Sequence, residues 1–186
     1  MKSLAIIIPT FNRKTYLSNL LIQINNLSHS DFDLHIIVVV DESTDTTIAM
    51  LSSDFPQVHI VKGTGDWWYT RSINEGLAYI KNLNIDYVLT LNDDILLKND
   101  FFEALNMAII QAPKDSIIGA LSLTQTNPKQ ILSAGVKKII LWRFKLISYY
   151  KMFTKKDEIP ELKGLHPSIV LPGRGILIPY EILKRL

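Results

Sequence analysis

Asn92, Asp93 and Asp94 stand directly after the apolar run Tyr87–Leu91 and before Ile95–Leu97. A strand over Tyr87–Leu91 carries the two carboxylates to one edge of a sheet, with the following apolar residues holding the turn down. Hard oxygen donors on a short turn suit Mg2+ or Mn2+, which take one or two protein carboxylates and complete their shell with substrate phosphates. The chemistry this offers is stabilisation of a diphosphate leaving group. Two further polar clusters follow apolar runs in the same way: Thr10, Asn12 and Arg13 after Leu4–Ile8, and Asp41 to Asp45 after Leu34–Val40. Any one cluster fits a helix cap or a solvated loop. Three in succession point to a ligand edge, because ligands of parallel sheets sit beyond the carboxyl ends of the strands.

The elements that must position these residues alternate along the chain. Short continuous apolar runs predict strands at Leu4–Ile8, Leu34–Val40, Val58–Val61, Tyr87–Leu91 and Ile117–Leu123. Stretches of helical period predict helices at Lys14–Leu27, Thr44–Ser53 (capped by Ser43 or Thr44), Thr70–Asn82 and Asp100–Gln111. Strands alternating with helices imply an α/β fold with a mainly parallel, buried sheet. Beyond Thr124 the regularity fades into a turn at Thr126–Lys129, a short strand at Ile131–Val136 and a basic aromatic stretch from Lys137 to Phe153. A β-rich run at Ser168–Pro179, broken by Pro172-Gly173-Arg174-Gly175, and a helix opening at Tyr180–Leu186 complete the reading.

Composition narrows the function classes. The 186 residues fit one domain, and 47% hydrophobic with 20% charged residues excludes disorder. With no cysteine, disulfides, thiolate catalysis and Cys-ligated metals are excluded. A net charge of +2, with lysines and arginines mixed among acids, gives no signature of nucleic-acid binding. The apolar start ends in Pro-Thr-Phe-Asn and reads as a strand, not a cleaved leader. No run reaches the roughly 18–20 apolar residues of a membrane span; the longest candidate, around Ile139–Tyr150, is interrupted by Arg143 and Lys145. A soluble chain is expected.

Five segments in order, IIIPTFNR (6–13), VVVDESTDTT (38–47), GDWWYTRSINEG (65–76), LTLNDDI (89–95) and LPGRGILIP (171–179), resemble the family 2 glycosyltransferases over nearly all of the chain. The doubled Trp67-Trp68 is similar to the rhamnosyltransferase-like members. The resemblance implies a GT-A type fold, a Rossmann-like αβα sandwich, with residues 1–123 as the nucleotide-binding half and 124–186 as an incomplete acceptor-side half. It implies an inverting, metal-assisted transfer of a sugar from a UDP- or dTDP-sugar to a glycan or lipid-linked acceptor. Polysaccharide assembly in the cytoplasm, at the inner face of the membrane, is the setting it suggests. The basic aromatic stretch suits peripheral membrane contact, and equally a helix packed on the core.

Residue by residue, the resemblance implies that Pro9, Thr10 and Asn12 line the nucleotide site and that Asp41 contacts a pyrimidine base, whose N3–H a carboxylate can accept. Ser43 belongs to the polar turn after Asp41. Asp94 is the expected metal ligand, Asn92 contacts ribose or metal, and Asp93 lies between them. Arg71 approaches a phosphate or else pairs with Glu75, and Asn74 supports neighbouring loops. Trp67 or Trp68 stacks on the donor, Trp67 being the one assigned. Gly173 and Arg174 lie beside the donor sugar, and His166 is the histidine best placed to add a metal ligand. The family's general base follows the PGRG-like segment in an acidic motif that this chain does not reach, so the expectation is a C-terminally truncated chain with no base of its own. Two alternatives are a nucleotide-binding fragment or scaffold of the same fold and, less well matched, a sugar nucleotidyltransferase. The latter class carries a Gly-rich loop after strand one, where this chain has PTFNRKTY.

Overall fold

The computed structural model describes residues 1–127, 130–143, 145–159 and 164–185. Lys129, Phe144 and Leu186, which belong to the expected turn, aromatic stretch and last helix, lie outside the described residues. Strands β1 (Lys2–Thr10), β2 (Phe32–Val40), β3 (His59–Lys62), β4 (Tyr87–Thr90), β5 (Ile118–Gly119) and β10 (Ile176–Pro179) form one sheet in the order β3-β2-β1-β4-β10-β5. All run parallel except β10, which lies antiparallel between β4 and β5. β6 (Ser122–Leu123) pairs with β7 (Ile131–Ser133), and β8 (Val136–Ile140) pairs with β9 (Lys145–Ser148), each as a separate two-stranded ribbon.

Both faces of the sheet are covered, which is why β1 and β2 read as unbroken apolar runs and not as alternations. Leu4, Ile6 and Ile8 face a core shared with α1 (Lys14–Asn26), α2 (Thr47–Asp54) and α4 (Phe101–Gln111). Ala5, Ile7, Ile37 and Val39 face the opposite core with α3 (Trp68–Tyr79) and α5 (Tyr180–Leu183). The result is the expected αβα sandwich.

Three expected elements differ in detail. The second helix starts at Thr47, three residues late, because Asp45 accepts the Thr47 backbone N–H and hydroxyl through Oδ1; Asp45 takes the capping work expected of Ser43 or Thr44. The strand expected at Ile117–Leu123 is cut in two, with Ile118–Gly119 in the main sheet and Ser122–Leu123 in the ribbon. The run expected at Ser168–Pro179 is extended only at Ile176–Pro179, and the Ala120 N–H donates to the Gly175 carbonyl at 2.8 Å where the chain re-enters the sheet.

Gly76 sets how closely α3 lies on the sheet. A Cβ at this position would meet Ile7 Cγ2 at 2.6 Å and Val39 Cγ2 at 3.3 Å. Gly76→Val therefore overpacks a site whose neighbours are immobile core side chains, at about 2–3 kcal/mol. For a chain of this length that lowers the midpoint of thermal unfolding by roughly 5–10 °C. Circular dichroism melting checks this, and an unchanged midpoint would show that α3 lifts off the sheet at no cost.

Candidate functional site

The chain leaves β1 for β2 and β3 on one side and returns on the other as β4, so the strand order reverses between β1 and β4. That switch point is where a crevice opens in sheets of this kind. A cavity of about 330 Å3 lies there, lined by Pro9, Thr10, Phe11, Arg13, Asp41, Trp68, Tyr69, Ser72, Asn92 and Asp93.

The two carboxylates after β4 have different surroundings. Asp93 is buried, with its side chain 5% exposed. Its Oδ2 accepts the Thr10 hydroxyl at 2.8 Å, which ties the end of β4 to the end of β1. Asp94 is 37% exposed on its side chain. Arg13 spans both, with Nη1 at 3.3 Å from Asp93 Oδ1 and Nη2 donating to Asp94 Oδ2 at 2.9 Å. The guanidinium also rests on the Tyr16 ring, 4.8 Å from its centroid. Burial raises the Asp93 carboxyl above the ordinary carboxylate range, against the opposing pull of the Thr10 hydrogen bond and the Arg13 charge. Asn92 Oδ1 is buried and has no hydrogen-bond partner, a costly state for an amide oxygen that a ligand would relieve.

Asp41 is likewise buried, and its carboxylate organises the loop after β3. Oδ1 accepts the Gly65 N–H at 2.7 Å, and Oδ2 accepts the N–H groups of Trp67 at 2.9 Å and Trp68 at 3.2 Å, at the start of α3. A carboxylate at a helix N-terminus is favoured by both the free amides and the helix dipole. Trp68 is held there in the left-handed region, φ 51°, where a bulky residue is strained by about 1–3 kcal/mol. The strain throws its ring outward, 84% exposed, over the cavity.

The tryptophan pair thus divides. Trp67 turns into the core beneath α3, with its indole Nε1 unpartnered and the Arg71 guanidinium 5.1 Å from its ring centroid. Trp68 and Tyr69 line the cavity with Phe11. Arg71 lies within 3.7 Å of Glu75 and 3.8 Å of Asp66, the surface pairing weighed for it. Asn12, also left-handed at φ 51°, bonds to the Asp41 turn: its N–H donates to Ser43 Oγ at 2.9 Å and its Oδ1 accepts the Thr44 N–H at 2.7 Å. Asn12 and Ser43 therefore join the first two loops to each other and do not line the cavity. Gly173 and Arg174 are exposed at the same sheet edge, since Ile176 pairs with Thr90, but do not line the cavity. His166 packs beside the Tyr149 ring. Phe11, Arg13, Trp68, Tyr69 and Ser72 are lining residues beyond those assigned from sequence. Arg13 had a signal, as the cation nearest an acidic turn after a neighbouring strand.

The family model described as Glycosyl transferase family 2 matches residues 5–168. The chain belongs to this family. Among solved structures, it is similar to the mannosyltransferase PcManGT from Pyrobaculum calidifontis in complex with GDP-Man and Mn2+, at 14% identity and TM-score 0.59, covering 98% of this chain and 46% of that one. It is also similar to S. aureus TarS 1–349 in complex with UDP-GlcNAc, at 20% identity and TM-score 0.53, covering 68% of this chain and 36% of that one. These likenesses show the fold. The chain spans less than half the length of either structure. No curated protein sequence matches it significantly.

The Asp93 shift has a consequence for stability. Its folded pKa lies above its unfolded one, so the folded chain holds this proton more tightly. The stability it confers is fully present below the unfolded value and is lost as pH rises through the raised folded value. Arg13 limits that loss. Arg13→Met is expected to lose more stability between about pH 4 and pH 7 than the parent chain, as read by urea unfolding at the two pH values. Adding Asp93→Asn should remove most of the difference, leaving only what the Arg13–Asp94 pair contributes. Equal pH slopes in parent and Arg13→Met would mean that the guanidinium does not neutralise Asp93.

Proposed function

We propose that the cavity between β1 and β4 binds the nucleotide diphosphate of a UDP- or dTDP-sugar, and that the whole protein transfers the sugar, with inversion, to a glycan or lipid-linked acceptor at the cytoplasmic face of a membrane. The observation that carries this reading is the meeting of Asp93, Asp94 and Arg13 with an unpartnered Asn92 oxygen at the switch point of a glycosyltransferase family 2 domain. Phe11 and Trp68 supply flat apolar surfaces for a base or sugar ring. Asp41 keeps those surfaces in place through its three amides and has remaining lone-pair capacity toward a base N–H.

The donor set fits Mg2+ or Mn2+. Asp94 offers an exposed carboxylate and Asn92 a buried, unused amide oxygen, both hard donors, with the remaining positions left to phosphate and water. When bound, such an ion supplies positive charge to the leaving diphosphate. PcManGT is described in complex with GDP-Man and Mn2+, and a cation of this kind is the reading here too. Arg13 must release Asp94 for it, and is then free to meet a phosphate oxygen bidentately. No general base is assigned: Asp93 is held by Thr10 and Arg13, and Asp41 is given the role of contacting the nucleotide base. The reading counts 1–123 as the nucleotide-binding half and 124–186 as part of the acceptor side.

Calorimetric titration of UDP and dTDP, with and without Mn2+, tests the proposal. Metal-dependent binding is expected in the parent chain, weakened about tenfold or more in Asp94→Ala, where one carboxylate is lost from the donor set. Binding that ignores both the metal and Asp94 would remove this residue from the site.

A further inference from the structure

We propose that the β8–β9 hairpin is a docking element for an anionic lipid surface, with Leu141 and Trp142 at its tip entering the interface. β8 and β9 form their own ribbon, in the register Ile140↔Lys145 and Ile139↔Leu146, with Leu141–Arg143 as the turn beyond. An isolated two-stranded hairpin is marginal in water unless something covers it. This one is tethered at its base, where the Val136 N–H donates to Ser168 Oγ at 2.8 Å and the Ile169 N–H to the Val136 carbonyl at 2.9 Å. Its far end is bare: Leu141 is 77%, Trp142 76% and Leu146 54% exposed.

Charge identifies the occupant. Residues 137–156 hold seven of the chain's 20 lysines and arginines and none of its 18 acidic residues. The Arg143 guanidinium stacks on the Trp142 ring at 4.2 Å, so the tip presents an indole with a cation laid against it. Indole rings and long basic side chains share the headgroup level of a bilayer, the ring and stems in apolar surroundings and the charges at phosphate. A second copy of this hairpin would set like charges against each other. A nucleic acid would satisfy the charges but give Leu141 and Leu146 no hydrocarbon to enter. An anionic bilayer satisfies both. Among the described residues no helix is long and apolar enough to cross a membrane, so the contact is one that lies on the surface. It does not depend on which nucleotide the cavity takes.

Flotation of the chain with vesicles tests this, comparing phosphatidylcholine alone with phosphatidylcholine containing about one third phosphatidylglycerol. Binding is expected only to the anionic vesicles, and is expected to fall between roughly 0.1 M and 0.5 M salt. Lys138→Gln combined with Arg143→Gln should weaken partitioning about 30-fold, and Trp142→Ala about tenfold. Nucleotide titration on the same variants should be unchanged, which also shows that they are folded and separates this proposal from the donor-site reading. Absence of binding to anionic vesicles, equal binding to neutral ones, or binding indifferent to these substitutions would overturn the proposal. So would tighter binding to an RNA oligonucleotide than to the vesicles, or binding to neutral vesicles that appears only when a polyprenyl diphosphate is added.

Discussion

Three carboxylates, Asp41, Asp93 and Asp94, gather at one edge of a sheet whose interior is almost wholly apolar, and each has to be compensated where it stands. Water cannot do this for the two that are buried. Asp41 is met by three backbone amides, and Asp93 by a hydroxyl from the neighbouring strand and a guanidinium. Those compensations tie the loop after β2 to the loop after β3, and the end of β1 to the loop after β4. The site is therefore not placed on a finished scaffold: the same contacts that neutralise its charges give its loops their shape, and the left-handed backbone of Trp68 is held by its N–H bond to Asp41.

Much of the sheet was legible because burial on both faces leaves an unmistakable mark, the unbroken runs Leu4–Ile8 and Leu34–Val40. The helices between them followed from period alone. The edge carrying the three polar clusters was legible too, since it follows from strand direction. Finer placement was not. Trp67 and Trp68 are chemically identical neighbours, and which one enters the core is decided by the left-handed turn that Asp41 imposes from another loop. The delayed start of α2 has a similar origin, because Asp45 caps more effectively from its position than the hydroxyls before it.

The second half resisted reading for a different reason. Its strands are two to five residues long, too short to carry a periodic signal, and pair in two small ribbons or at the far edge of the main sheet. Two-residue strands such as Ile118–Gly119 owe their extension to the neighbour they meet, β10, nearly sixty residues later, and carry little signal of their own. The Lys137–Phe153 stretch was recognised by composition, which could not show that Leu141, Trp142 and Leu146 stand away from the core.

The reversed strand β10 changes how this architecture can vary. By running against its neighbours it brings the chain back to the ligand edge at its beginning, and the Ala120–Gly175 hydrogen bond closes the excursion that started at β5. Everything between those two residues is a detour with both ends pinned at one place. Loop-closure entropy grows only logarithmically, about 0.6 kcal/mol per doubling of length. The detour can thus be lengthened, shortened or exchanged with little effect on the sheet, while whatever it carries is delivered beside the same rim of the cavity. It is an interchangeable cassette, which can change without disturbing the strands that line the cavity.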